Sequence, residues 1–238
     1  MAGLVALVGS GEYLDVMNDV DRRLLAESNR PQPRVVCLPT AAGLEGMESV
    51  DRWSRMGIEH FRNLGAHVDA PPVVDRASAG DPKWARLVES ANLIYFSGGD
   101  PLYLCRTLID TRTWAAVERA WARGAVFAGC SAGAMILGSG VPDVQSPDLA
   151  VHPAFNRIPN AFIVPHFDRL EDFRPGATEM IRSWLADGQY ALGIDENTAL
   201  VGRLGGEWEV MGAAGVSVLA RRETKKYPAG SRVRLPGT

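Results

Sequence analysis

The stretch of this chain whose residue types and spacing could do chemistry is Gly129-Cys130-Ser131-Ala132-Gly133. It matches G-x-S-x-G, the pattern of a nucleophilic serine on a sharp strand-to-helix turn. In such a turn the residues two before and two after the serine must be small, or they clash. The amide that follows, on Ala132, then sits at a helix N-terminus. Its donor is free there, and the dipole favours a developing negative charge. An apolar run, Ala125-Val126-Phe127-Ala128, precedes the turn, and small residues follow it in Ala132-Gly133-Ala134. Cys130 is one place early for the nucleophile position, and a structural role in the core is expected for it.

A serine hydroxyl needs a neighbouring base. The candidates are His60, His67, His152 and His166. His60 and His67 flank a helix end, where surface or capping roles suffice, and His152 lies in an irregular stretch. His166 follows Ala161-Phe162-Ile163-Val164-Pro165, at the C-terminal end of a strand, where open α/β sheets gather their active groups. A carboxylate should orient the imidazole. Asp195 and Glu196 follow another strand end, with Asp143, Asp148 and Asp168 as rivals. The order serine, histidine, acid, with over seventy residues beyond His166, does not fit the α/β-hydrolase scaffold. Gly98-Gly99-Asp100 opens after a further strand, and a Gly99 amide facing Ala132 would complete an oxyanion hole. Gly9-Ser10-Gly11 is a similar turn, but no GK[ST] follows it, so nucleotide binding is weakly supported.

The elements that must hold these residues follow from the apolar pattern. Strands are expected at 4–8, 34–38, 66–70, 92–97, 125–128, 161–164 and 190–194, with helices over 13–28, 46–64, 113–123 and 173–187. Continuous apolar strands between helices predict a mostly parallel sheet covered on both faces. Residues 141–160 are rich in Pro, Asp and Asn and read as a surface loop that shapes or covers the site. From 198 on, short Gly-punctuated runs predict an antiparallel extension of the same sheet. A single domain over 1–238 is expected.

Composition bounds the rest. The chain has 238 residues, 46% hydrophobic and 22% charged, which is ordinary for a globular protein. A net charge of −3 implies no basic face, so nucleic acid is not an expected partner. No run is long enough to span a bilayer, and no secretory leader is apparent. Three cysteines without a CxxC argue against disulfides or a zinc site and suit a reducing cytoplasm.

Four segments together resemble one family: Phe96-Ser97-Gly98-Gly99-Asp100, Ala128–Ala134, Val164-Pro165-His166-Phe167-Asp168 and Gly193-Ile194-Asp195-Glu196-Asn197-Thr198-Ala199. The chain resembles, over about residues 3–220, the serine peptidases that include dipeptidase E and cyanophycinase. The resemblance implies a three-layer, flavodoxin-like α/β sandwich of the class I glutamine amidotransferase type. It implies Ser131 as nucleophile, His166 as base, Glu196 as orienting acid, and Gly99 and Ala132 as oxyanion donors. No metal or organic cofactor is implied. The sequence departs from the cyanophycinase pattern at Pro101 and at Val164-Pro165. The implied activity is cleavage of small peptides, with an aspartyl residue at the cleaved bond as one expectation; the alternatives are a catalytically silent binding or regulatory domain on the same scaffold, or an esterase or acyltransferase using the same triad. Arg106, Arg157, Arg169 and Arg174 are candidates for a substrate carboxylate. Asp100 and Arg169 complete the expected binding set. A small peptide substrate and a monomeric or homodimeric state are expected.

Overall fold

The computed structural model describes residues 2–236. Its centre is a sheet whose first five strands are β1 (Val5–Val8), β2 (Arg34–Leu38), β3 (His67–Asp69), β4 (Leu93–Phe96) and β5 (Val126–Cys130). They pair in parallel in the order β1-β5-β4-β2-β3. Every residue of β1, β4 and β5 is buried, as a sheet covered on both faces requires.

The two-residue period divides those side chains between two cores. Leu4, Ala6, Val8, Val35, Cys37, Leu93 and Tyr95 pack into one. It is closed by helices α1 (Asn18–Ala26) and α2 (Met47–Asn63), through Val20, Leu24, Leu25 and Phe61. Val5, Leu7, Val36, Leu38, Ile94 and Phe96 pack into the other. That core is closed by α3 (Arg76–Gly80), α4 (Pro82–Glu89), α5 (Pro101–Leu108) and α6 (Arg112–Ala122). The expected three-layer sandwich results.

A short helix, α7 (Ala132–Met135), follows Ser131. Residues 141–160 are not simply a loop: β6 (Gly140–Pro142) and β7 (Val151–Pro153) form an antiparallel hairpin around their middle. β8 (Ala161–Val164) leads to α8 (Leu170–Phe173) and α9 (Ala177–Trp184). The single helix expected over 173–187 is split because Pro175-Gly176 interrupts it, with Gly176 in the left-handed region. The remaining strands are β9 (Tyr190–Ile194), β10 (Thr198–Gly202), β11 (Glu207–Gly212), β12 (Gly215–Leu219), β13 (Thr224–Pro228) and β14 (Arg232–Arg234).

The C-terminal strands divide between two sheets. β10, β11 and β14 extend the main sheet antiparallel beyond β1. β8, β9, β12 and β13 form a second sheet, in which β8 and β9 run parallel. Ile163, Leu192, Ile194 and Val216 of this sheet join the core that α3 to α6 close. Its other face, with Val164, Ala191 and Leu219, is covered by Ile181 and Leu185 from α9 and its end. No helix among the described residues is long and apolar enough to cross a membrane.

His60 departs from the surface or capping role expected of it. It is buried, and its Nε2 lies 2.7 Å from Asp21 Oδ2 between α2 and α1. Burial pushes the Asp21 carboxyl above its ordinary value, and the His60 hydrogen bond draws it back. Replacing His60 with Ala strands a buried carboxyl. The expected loss is about 3–5 kcal/mol of unfolding free energy, read from urea denaturation.

Candidate active site

Ser131 caps α7 with φ 49° and ψ −114°, a region that residues with a side chain rarely occupy. The turn holds it there: its N–H donates to Val8 O at 2.9 Å, and its carbonyl accepts from Ala134 and Met135. The two flanking glycines are required by contact. A Cβ on Gly129 would run into the Gly133 carbonyl, and one on Gly133 into Phe96. This is the small-residue rule of a nucleophile turn.

The parallel register brings the Gly98-Gly99 loop alongside. Phe96 of β4 lies opposite Gly129 of β5, so the two chains leave the sheet together, one into Gly98-Gly99 and the other into Ser131-Ala132. A Cβ on Gly98 would lie 3.8 Å from Ser131 Oγ. Gly99 has φ 137° and backs onto Ala41 so closely that no side chain fits. Among the described residues, neither the Gly99 N–H nor the Ala132 N–H donates to a protein acceptor. Two free amides beside a serine are the elements of an oxyanion hole.

Beneath this pair lies a residue that the sequence reading missed. Glu12 is buried, and its Oε1 accepts from the Gly98 N–H at 3.0 Å while its Oε2 accepts from the Cys130 thiol at 2.9 Å. One carboxylate therefore ties the glycine loop to the nucleophile turn. Burial, then the Glu12 charge, pushes the Cys130 thiol well above its ordinary range. Cys130 stays a protonated donor in the core, in keeping with its expected structural role.

His166 and Glu196 meet through the second sheet. Val164 of β8 lies opposite Gly193 of β9, and each strand runs two or three residues further to reach the pair. Phe167 packs against Gly193, where any side chain would displace it. His166 Nδ1 then lies 2.9 Å from Glu196 Oε1, with both side chains about one-third exposed (33% and 34%). This contact makes Nδ1 the donor and leaves Nε2 as the free acceptor. The other carboxylates have different partners. Asp168 accepts the Glu196 N–H at 2.8 Å, and Asp195 accepts the Gly215 N–H at 3.1 Å. Asp143 and Asp148 bond within their own loop.

Ser131, Gly99 and His166 line one cleft of about 350 Å³. Ser131 Oγ and His166 are not in hydrogen-bond contact, an arrangement common before substrate closes such a site. Two residues of the expected binding set, Asp100 and Arg169, are not part of that lining. Asp100 caps α5 through the Tyr103 N–H and accepts from Gln145 Nε2 at 3.3 Å. Arg169 bonds Asp172 at 2.9 Å and is not on the cleft wall. A 3-10 turn after His166 sets the direction of Arg169, and no sequence pattern encodes that direction. Arg157 pairs with Glu118. Arg174 does line the cleft and donates to Pro147 O at 3.1 Å. The Gln145 and Pro147 contacts strap the 143–150 loop across the site from both sides. Among the described residues, no three His, Cys, Asp or Glu side chains converge as metal ligands.

A family model for peptidase family S51 matches residues 5–206. The uncharacterized peptidase YgaJ of Bacillus subtilis (strain 168) is 28% identical over 207 residues, covering 84% of this chain and 83% of that protein. A cyanophycinase from Synechococcus elongatus is 28% identical over 185 residues, which is 73% of this chain and 56% of that enzyme. The crystal structure of a peptidase from an acI-B1 Actinobacterium superposes with a TM-score of 0.90 at 36% identity, covering 99% of this chain and 98% of that one. A Listeria monocytogenes EGD-e structure shares the fold, with a TM-score of 0.63 at 17% identity.

Proposed function

The chain belongs to peptidase family S51, and from that premise we propose that it hydrolyses short peptides through an acyl-enzyme on Ser131. Ser131 Oγ attacks the scissile carbonyl carbon as His166 Nε2 takes its proton. Glu196 stabilises the imidazolium that forms. The Gly99 and Ala132 amides receive the oxyanion, a contribution of roughly 3–4 kcal/mol per donor. Collapse breaks the C–N bond, and His166 returns the proton to the leaving amine. Water, deprotonated by His166, then attacks the ester and frees Ser131. The observation that carries this reading is the 2.9 Å His166–Glu196 pair opening on the same cleft as Ser131.

The test is amine release from a panel of short peptides, α- and β-linked aspartyl dipeptides included, with Ser131→Ala as control. Ser131-dependent release supports the proposal. A folded protein that releases nothing from any peptide contradicts it. The aspartyl expectation needs a cation at the cleft, and Arg174 is the sole arginine or lysine on the wall among the described residues. The same proposal takes the chain as one domain, monomeric or homodimeric. It places the chain in the cytoplasm, where the buried thiols of Cys37, Cys105 and Cys130 suit a reducing environment.

In this scheme Glu12 is a positioning residue. Glu12→Ala leaves the Gly98 amide without its acceptor and frees the loop that presents the Gly99 N–H. We expect kcat to fall about 10²-fold, the scale of one lost oxyanion donor, with KM nearly unchanged. Glu12→Gln keeps a carbonyl for the Gly98 N–H and should restore most of the rate. A general loss of stability would not give that split between kcat and KM.

A further inference from the structure

We propose that the cleft beside Ser131 receives an apolar side chain, so that the preferred substrates carry an aliphatic or aromatic residue at the scissile carbonyl. The proposal rests on the peptidase reading and gives it a substrate class. The wall is built from Met135, Phe162, Val164, Phe173, Met180 and Trp184. Its one guanidinium, that of Arg174, already donates to Pro147 O.

The physical chemistry favours one class of occupant. A substrate carboxylate entering this wall loses its hydration and finds few donors in exchange. An aliphatic or aromatic side chain instead removes its own apolar surface, and that of the wall, from water. Two residues of the cleft carry the argument further. Phe173 is 66% exposed and Val144 is 48% exposed, although both are large and apolar. Phe173 stands edge-on to the His166 ring, with centroids 6.2 Å apart. Apolar groups left in water on both sides of a cleft that holds a serine and a histidine mark a surface that a ligand covers. Val144 belongs to the loop strapped down by Gln145 and Pro147, so it is held over the cleft. An acidic preference would call for cations here, but Arg169 and Arg157 are paired elsewhere with Asp172 and Glu118.

The experiment measures kcat/KM for aminoacyl-coumarin amides and matching dipeptides that differ only in the residue at the scissile carbonyl: Leu, Met, Phe, Ala, Asp and Lys. Leu, Met or Phe should exceed Asp by at least about tenfold. Val144→Lys, on the exposed loop, and Met180→Lys should each shrink that ratio by raising Asp turnover and lowering Leu turnover. Wild-type turnover of Asp equal to or above Leu, with the advantage lost in Arg174→Gln, would overturn the apolar assignment and leave the peptidase reading standing. A folded protein that turns over no member of the set in a Ser131-dependent way would overturn the peptidase reading, and this proposal with it.

Discussion

Replacing Ser131 with alanine should lower kcat/KM for peptide hydrolysis on the order of 10⁶-fold, leaving only what binding and the oxyanion amides supply. The fold should not notice. Alanine keeps the Cβ, so the strain at φ 49° is unchanged, and the Ser131 N–H still donates to Val8. Ser131 Oγ has no hydrogen-bond partner among the described residues, so its removal orphans nothing. The melting temperature should stay within about 2 °C, as for a substitution worth less than about 0.5 kcal/mol. Ser131→Gly separates strain from chemistry. It is equally inactive, but it should gain about 1 kcal/mol, because glycine occupies a positive φ without penalty. Differential scanning calorimetry beside the kinetic assay checks both halves. An inactive alanine variant that had also lost its folding transition would make the activity loss uninformative. An active one would place the nucleophile elsewhere.

The second large effect belongs to His166. His166→Ala should cost about as much as loss of the serine, on the order of 10⁶-fold, because an unactivated hydroxyl does not attack an amide. The double variant should be no worse than either single one, since nucleophile and base act as a unit. Glu196→Gln should cost less, about 10⁴-fold, because it spoils the tautomer and the imidazolium without removing the base. Asp168→Asn gives the contrast. Asp168 touches the Glu196 backbone and not the ring, so its loss should be much milder. The order Ser131 ≈ His166 > Glu196 > Asp168 in kcat/KM is the expected outcome. An Asp168 or Asp143 variant as impaired as Glu196→Gln would move the orienting role.

How much of this was legible follows from how far apart the interacting residues lie. The nucleophile turn could be read because its pattern is local: Gly129, Ser131 and Gly133 lie within five residues, although the clash that Gly133 avoids is with Phe96 of β4. His166 and Glu196 could be placed at strand ends, since β8 and β9 are short apolar runs with clear stops. Choosing Glu196 over Asp168 or Asp195 needs the β8–β9 register, which no single segment carries. Glu12 was invisible for the same reason. Its partners, Gly98 and Cys130, lie 86 and 118 residues away, and next to Gly9-Ser10-Gly11 it looks like any turn residue. The division of the last strands between two sheets also depends on distant pairing, that of β12 with β9 in preference to β11. Helices α3 and α4 are a different case. Asp75 with Ser78 makes a capping box, and Asp81-Pro82 starts a helix in the usual way, so their signals were present in the sequence.

The most direct test of the central claim is covalent. Incubate the wild-type chain with a fluorophosphonate and measure its intact mass, then map the modified peptide. The account predicts a single adduct on Ser131, lost in Ser131→Ala and formed much more slowly in His166→Ala. An adduct on another residue, or one that persists in Ser131→Ala, would contradict it.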